Sequence, residues 1–197
     1  MRRFKKEIKD KAVIIDIFNR CHVGCLGTIG KDGYPMVKPL NFAYCDGSNP
    51  SIPPLAKGGE GGFLGKIYFH TAKEGEKIED IKRDNRVCFE VDLPIAYLKA
   101  KNQPCEADYL YRSVIIKGRA HIIEDRDEKL FGLKCLMEKY QPGGKYGDYL
   151  KEKLQITGIV RIDIEEMVGK EDLGKEHQMD IALRALKDKV LLPIILE

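Results

Sequence analysis

Ile67-Tyr68-Phe69-His70-Thr71-Ala72-Lys73-Glu74-Gly75-Glu76-Lys77-Ile78 is the stretch on which the architecture turns. Its first half is an apolar, β-rich run, and Lys66–His70 reads as a short strand. Gly75 then interrupts the chain, and Ile78 and Ile81 fall three apart in a charged segment, so Glu74–Asp84 reads as a helix. A strand that turns through glycine into a helix leaves unpaired backbone N–H groups at the helix start. Such a terminus holds anions, with a Thr hydroxyl and a nearby Lys to complete the cradle. Thr71, Ala72 and Lys77 are therefore candidate phosphate-binding residues. On spacing alone the plainer reading, a capped helix with solvated lysines, is preferred.

The pattern extends outward on both sides. Downstream, Val87–Leu93 is a strand, Tyr109–Glu124 alternates as a long one, and Thr157–Ile164 as another. Between the last two, Leu130, Leu133, Met137 and Tyr140 line one side of a helix that Asp125 and Glu128 cap and Pro142-Gly143 ends. Upstream, Val23–Ile29 and Met36–Tyr44 flank Lys31-Asp32-Gly33 as a hairpin. Before it, Ile8, Ala12, Ile15 and Phe18 mark an amphipathic helix over Lys9–Arg20. Asp46–Gly65 collects Gly, Pro and Ser and reads as a long insertion, with a surface loop the default over a lid. A terminal helix over Met179–Val190 precedes the apolar tail Leu191–Leu196, which suggests packing. About six alternating strands with helices at the edges point to a mainly β fold with α, a six-stranded small β-barrel, rather than a doubly wound sheet. The chain is expected to be one domain, with the barrel over about 21–165 and a helical tail over about 170–197.

Composition narrows the function classes. Of 197 residues, 43% are apolar and 33% charged, and no run approaches the roughly 20 apolar residues of a membrane-spanning helix. A water-soluble chain is expected, with no membrane partner. Lys and Arg exceed Asp and Glu by 34 to 31 with the signs interspersed, so there is no footprint for nucleic acid. The basic N-terminus lacks the apolar run of a secretory signal, and a cytoplasmic protein is expected. Six scattered cysteines read as buried free thiols rather than a disulfide scaffold.

His70-Thr71-Ala72-Lys73-Glu74-Gly75-Glu76-Lys77, followed by Asp84-Asn85-Arg86-Val87-Cys88-Phe89, resembles the pyridoxamine-5′-phosphate-oxidase-like FMN-binding family, and in particular its nitroimidazole-resistance branch. The resemblance includes Gly27-Thr28 and Asp32–Phe42 upstream and Tyr111–Ala120 downstream, and covers roughly residues 1 to 165. It implies an FMN-binding split β-barrel that forms a homodimer with two FMN sites between subunits. By the same resemblance Lys38, Pro39, Leu40, Asn41 and Phe42 run beside the ring and ribityl chain. His70 faces the flavin, Thr71, Ala72 and Lys77 hold the phosphate, and Ser113 completes the pocket. His70 is the candidate catalytic residue, since imidazole titrates near neutral pH, with a structural role at a strand end as the alternative. The implied activity is that of a flavin-dependent oxidoreductase acting on a small-molecule electron acceptor. A non-catalytic carrier or sensor of FMN or another cofactor is the rival reading. The tail from Gly169 lacks the arginine-containing segment of the B6 oxidases proper, which argues against that substrate.

Three other signals are weaker. Gly169-Lys170-Glu171-Asp172-Leu173-Gly174-Lys175-Glu176 imitates a phosphate loop, but Glu176 replaces the Ser or Thr that would ligate magnesium, and three carboxylates would repel phosphates. Cys21-His22 with Cys25 lacks a second ligand pair, so no metal is expected. A flavin-free oligonucleotide-binding barrel would need surface aromatics along a basic groove, and the chain has no Trp.

Overall fold

The computed structural model describes residues 6–46, 65–188, 190 and 192–196. Apart from its end residues Asp46 and Gly65, the insertion expected at 46–65 lies outside them. In chain order the elements are β1 (Glu7–Ile8), α1 (Lys11–Arg20), β2 (Gly24–Ile29), β3 (Pro35–Leu40), β4 (Ala43–Cys45), β5 (Lys66–Ala72), α2 (Glu76–Arg83), β6 (Arg86–Leu98), β7 (Asp108–Ile123), α3 (Arg126–Tyr140), α4 (Lys151–Ile156), β8 (Thr157–Asp172), α5 (Glu176–Lys187) and β9 (Ile194–Leu196). A single 3₁₀ turn, Pro104–Glu106, precedes β7. No described helix is long and apolar enough to cross a membrane.

Two compact units divide the chain. One comprises Cys21–Glu90 and Ile115–Met167, and the other the residues up to Arg20, Val91–Val114 and those from Val168 onward. In the first, the strands follow the order β3-β2-β6-β7-β8-β5-β4. β2 pairs antiparallel with β3 from Gly24↔Leu40 to Ile29↔Pro35, and β5 pairs antiparallel with β8 from Lys66↔Asp163 to Ala72↔Thr157. The end strands β3 and β4 do not pair with each other among the described residues. The core alternates as a pleated strand should: Leu26 and Phe89 are fully buried, and so are Ile116, Val160 and Ile162. β5 departs from alternation, for Ile67, Tyr68 and Phe69 are all buried in succession. α3 lies over this part of the sheet, and Gly132 is where it comes closest: a Cβ there would stand 2.9 Å from the Tyr68 ring.

The fold is mainly antiparallel β with peripheral helices, and the six longest strands are those the periodicity predicts. Three short strands, β1, β4 and β9, add edge pairings that two or three residues cannot announce. The predicted strand Met36–Tyr44 is in fact two strands. β3 ends at Leu40, and after Asn41 and Phe42 the chain leaves β2 to pair with β5 as β4, Ala43 facing Tyr68. β8 runs eight residues past its predicted end, so Gly169–Asp172 of the phosphate-loop imitation are strand residues.

In the second unit α1 buries Ile14, Ile17 and Phe18; of the predicted stripe Ile8 and Phe18 are buried, whereas Ala12 is exposed and Ile15 half-buried. Gly169 of β8 lies against Ile8 and Ile14. Arg112, only 8% exposed, is held by Glu171 at 2.9 Å. The apolar tail forms β9, parallel to β6 at Ala96–Leu98. All six cysteines are reduced: Cys21 and Cys135 are buried, whereas Cys88 and Cys105 are exposed.

Candidate functional site

The junction of β5 and α2 combines three local features. Opposite Thr71 in β8 stands Gly158, and a Cβ there would meet the carbonyl oxygens of Ala72 and Thr71 at 3.1 and 3.2 Å. Gly75 takes φ +117°, a conformation other residues resist, with nothing within 4 Å of where its Cβ would be. Here backbone geometry, not space, requires glycine. No side chain caps α2, so the first N–H groups of the helix keep their capacity for an outside acceptor.

One buried carboxylate organises the charges around this terminus. Asp80, 1% exposed on the inner face of α2, accepts from the Thr28 hydroxyl at 2.9 Å and from Arg83 at 2.8 Å. Burial alone would raise its pKa, but the Arg83 and Thr28 hydrogen bonds and the Lys38 charge outweigh that and hold the carboxyl below its ordinary value. Lys38 Nζ sits 3.0 Å from Glu76 and 3.6 Å from Asp80, yet makes no well-formed hydrogen bond to either although it is buried. Lys77 is half-buried, with Nζ 5.4 Å from the centre of the Phe69 ring. Burial, and then the Lys38 charge, push its pKa down. No described carboxylate pairs with Lys77. Two cations thus stand near each other beside an uncapped helix start, and one has no counter-charge.

Of the residues singled out from the sequence, Lys38, Pro39, Leu40, Asn41, Phe42, His70, Thr71, Ala72 and Lys77 share one unit, and Ser113, buried at 8% exposure, belongs to the other. Pro39, Asn41, His70 and Ala72 are exposed, and Lys38, Thr71 and Lys77 are half-buried. Leu40 and Phe42 are core residues: the Phe42 ring is fully buried edge-on against Phe89 at 5.1 Å. That ring is packing, so what Phe42 can offer a ligand is its backbone.

The Asn41–Phe42 junction is fastened from α3. The Tyr140 hydroxyl donates to the His22 carbonyl at 2.6 Å and accepts from Phe42 N–H at 3.0 Å. Next to it, Lys139 Nζ lies 3.4 Å above the Phe42 ring and donates to the Cys21 carbonyl at 2.7 Å. Burial pushes the Lys139 amine down to about 7.

Comparison with known proteins places this arrangement. The family described as pyridoxamine 5′-phosphate oxidase matches residues 10–171. The chain belongs to the pyridoxamine 5′-phosphate oxidase family. Among solved structures, a candidate 5-nitroimidazole antibiotic resistance protein from Bacteroides thetaiotaomicron is similar at 25% identity and TM-score 0.64, over 84% of this chain and 86% of that one. The flavocytochrome Anf3 from Azotobacter vinelandii shares the fold at 18% identity and TM-score 0.68, over 91% and 77%. So does an FAD- and heme-binding protein from Mycobacterium smegmatis, at 14% identity and TM-score 0.66, over 89% and 80%. A search of curated proteins gave no match. The fold class is accordingly the split barrel of this family, with a sheet that is not strictly closed.

Sequence reasoning missed Asp80 and Glu76 as the carboxylates beside Lys38, Arg83 as the partner of Asp80, and Lys139 and Tyr140 as the clamp on Phe42. Arg83 lies three residues after Asp80 on one helix face, a spacing that could have been read. Tyr140 meets Phe42 across 98 positions, and nothing local signals such a contact.

Proposed function

We propose that this protein binds FMN as a homodimer and acts as a flavin-dependent oxidoreductase on a small-molecule electron acceptor. The observation that carries the reading is Lys77, a half-buried cation without a carboxylate partner, beside Lys38 and the uncapped start of α2. Holding Lys77 away from water in the neighbourhood of another cation is unfavourable unless an anion arrives, and a phosphate meets that need. The buried Lys38 Nζ, with no well-formed hydrogen bond, is a second donor with spare capacity. Thr71 and Ala72 would complete the phosphate cradle, and the exposed backbone around Pro39 and Asn41 would run beside the ring. FMN, when bound, supplies the capacity to accept and pass on electrons at that ring. His70, exposed at the end region of β5, would hold a proton for the acceptor.

Support also comes from neighbours whose names specify flavins and from the candidate nitroimidazole-resistance protein. For the dimer, the solvent side of β3-β2-β6-β7 carries Val37 at 65% exposure, with Pro39, Cys25, Cys88 and Ile115. Glu90 and Lys117 stand on the same side, so the surface mixes exposed apolar side chains with charges that a partner could pair.

The test is the visible absorption spectrum after FMN addition and desalting. Retained flavin bands near one per chain are expected, and a chain that cannot be loaded overturns the cofactor assignment. Lys77→Ala should weaken FMN binding by about 1.5 to 3 kcal/mol, the scale of a charge-assisted hydrogen bond. His70→Ala should leave binding intact and slow anaerobic NAD(P)H oxidation in the presence of a quinone or nitroaromatic. Binding without any turnover by the parent protein would instead favour a carrier or sensor.

A further inference from the structure

A cavity of about 480 Å³ lies between the start of α3, α4 and the residue that follows β5, and none of the residues assigned to FMN lines it. Its walls carry four cations: Lys73, Arg126, Lys129 and Lys151. Glu124 is the only carboxylate among them and is paired with Lys129 at 3.4 Å. Lys73, Arg126 and Lys151 have no described ion-pair partner. Several other cations of the same unit are matched: Lys82 with Glu79, Arg83 with Asp80, Arg86 with Asp84, Lys117 with Glu166 and Arg119 with Glu165. Three unmatched positive charges therefore converge on one concavity.

The rest of the lining is two leucines, a tyrosine and the amide of Gln155. Leu130 and Leu154 are half-buried, and Tyr149 adds a ring whose hydroxyl is buried with no hydrogen-bond partner of good geometry. Burial, and then the neighbouring Tyr146 hydroxyl, push that phenol up to about 12, so at neutral pH it remains a donor. Cations on one side, apolar surface on the other and a waiting hydroxyl donor suit a ligand with an anionic end and a flat body. The volume is toward the lower end of the range for small-molecule sites, which favours a mononucleotide over a dinucleotide.

We propose that this cavity is a second binding site, separate from the FMN site, for a small phosphomonoester with a flat ring body, of which a nucleoside 5′-monophosphate is the type. Lys73, Arg126 and Lys151 hold the phosphate, Lys129 contributes once Glu124 turns aside, and Tyr149 with Leu130 and Leu154 cover the ring. The site stands on these residues alone and does not depend on the FMN assignment.

Isothermal titration of the full chain with 5′-AMP, inorganic pyrophosphate and adenosine tests it, with and without prior FMN loading. AMP should bind, adenosine should bind about tenfold or more weakly, and pyrophosphate should displace AMP. The triple variant Lys73→Glu, Arg126→Glu, Lys151→Glu should lose AMP binding by about thirtyfold or more while retaining FMN. Glu124→Gln should tighten AMP binding, which guards against a triple variant that fails to fold. Lys77→Ala should lose FMN and keep AMP, so failure of one site is distinguishable from failure of the other. No AMP binding at millimolar concentration, or AMP binding unchanged in the triple variant, overturns the proposal.

Discussion

Burial sets the Lys139 amine against its charged form. With its amine pushed to about 7, the folded chain binds fewer protons than the unfolded chain between about 7 and the ordinary lysine value of 10.5. Stability should therefore fall as pH drops through that window and level off below it. The cation–π contact with Phe42 works against this, favouring the charged form. Lys139→Met should flatten the pH dependence of urea unfolding between pH 7 and 10 and gain stability at its lower end; an unchanged slope would assign the effect elsewhere. Asp80 carries the opposite sign. Its carboxyl is held below the ordinary value, so its contribution is present above the normal aspartate range and is lost on acidification. Asp80→Ala should cost about 3 kcal/mol, because it removes the buried counter-charge of Arg83 and Lys38 and leaves Thr28 without its acceptor. Neither effect was legible in the sequence, for only folding brings Cys21 and Phe42 to Lys139.

At the scale of elements, legibility followed the range of the determining contacts. α3 was read closely because its signals are local: Asp125 accepts from Glu128 N–H at 2.9 Å as a cap, and the helix stops just short of Pro142-Gly143. Asp125→Ala should lower the midpoint of thermal unfolding, with a loss of about 1 kcal/mol. The split of Met36–Tyr44 into β3 and β4 was not legible, since both halves are equally apolar and the change of partner is decided by Tyr140 from α3 and by β5. The same holds for the far end of β8, where Gly169 resembles a loop glycine but is needed because Ile8 and Ile14 press on that strand. Gly118 is a sharper case, as a Cβ there would stand 2.3 Å from the Asp163 carbonyl oxygen. Gly118→Ala should force β7 from β8 and destabilise the chain by more than the roughly 1 kcal/mol of an ordinary strand substitution, measurable by chemical denaturation.

For the whole molecule, the fold class was read from strand count and the position of the helices, and the family from the run around Gly75 together with Gly27-Thr28, Asp32–Phe42 and Tyr111–Ala120. The strand-to-helix turn that carries the phosphate-binding candidates was legible, because such a turn has its geometry in sequence order. The cavity beside α4 was not, since its cations come from three separate stretches, and α4 itself was unforeseen. The dimer we propose makes its own prediction. Val37→Glu together with Ile115→Glu should give monomers in sedimentation velocity and lose bound FMN, because the proposed sites lie between subunits.

Two of the exposed thiols supply a built-in clock for that assembly. Cys88 lies on the face proposed for pairing, opposite Gly27, whereas Cys105 sits in the 3₁₀ turn of the other unit. An alkylating reagent applied across a dilution series would therefore mark Cys105 at one steady pace and Cys88 at a pace set by how often the partners separate, so the unaltered chain times its own dissociation.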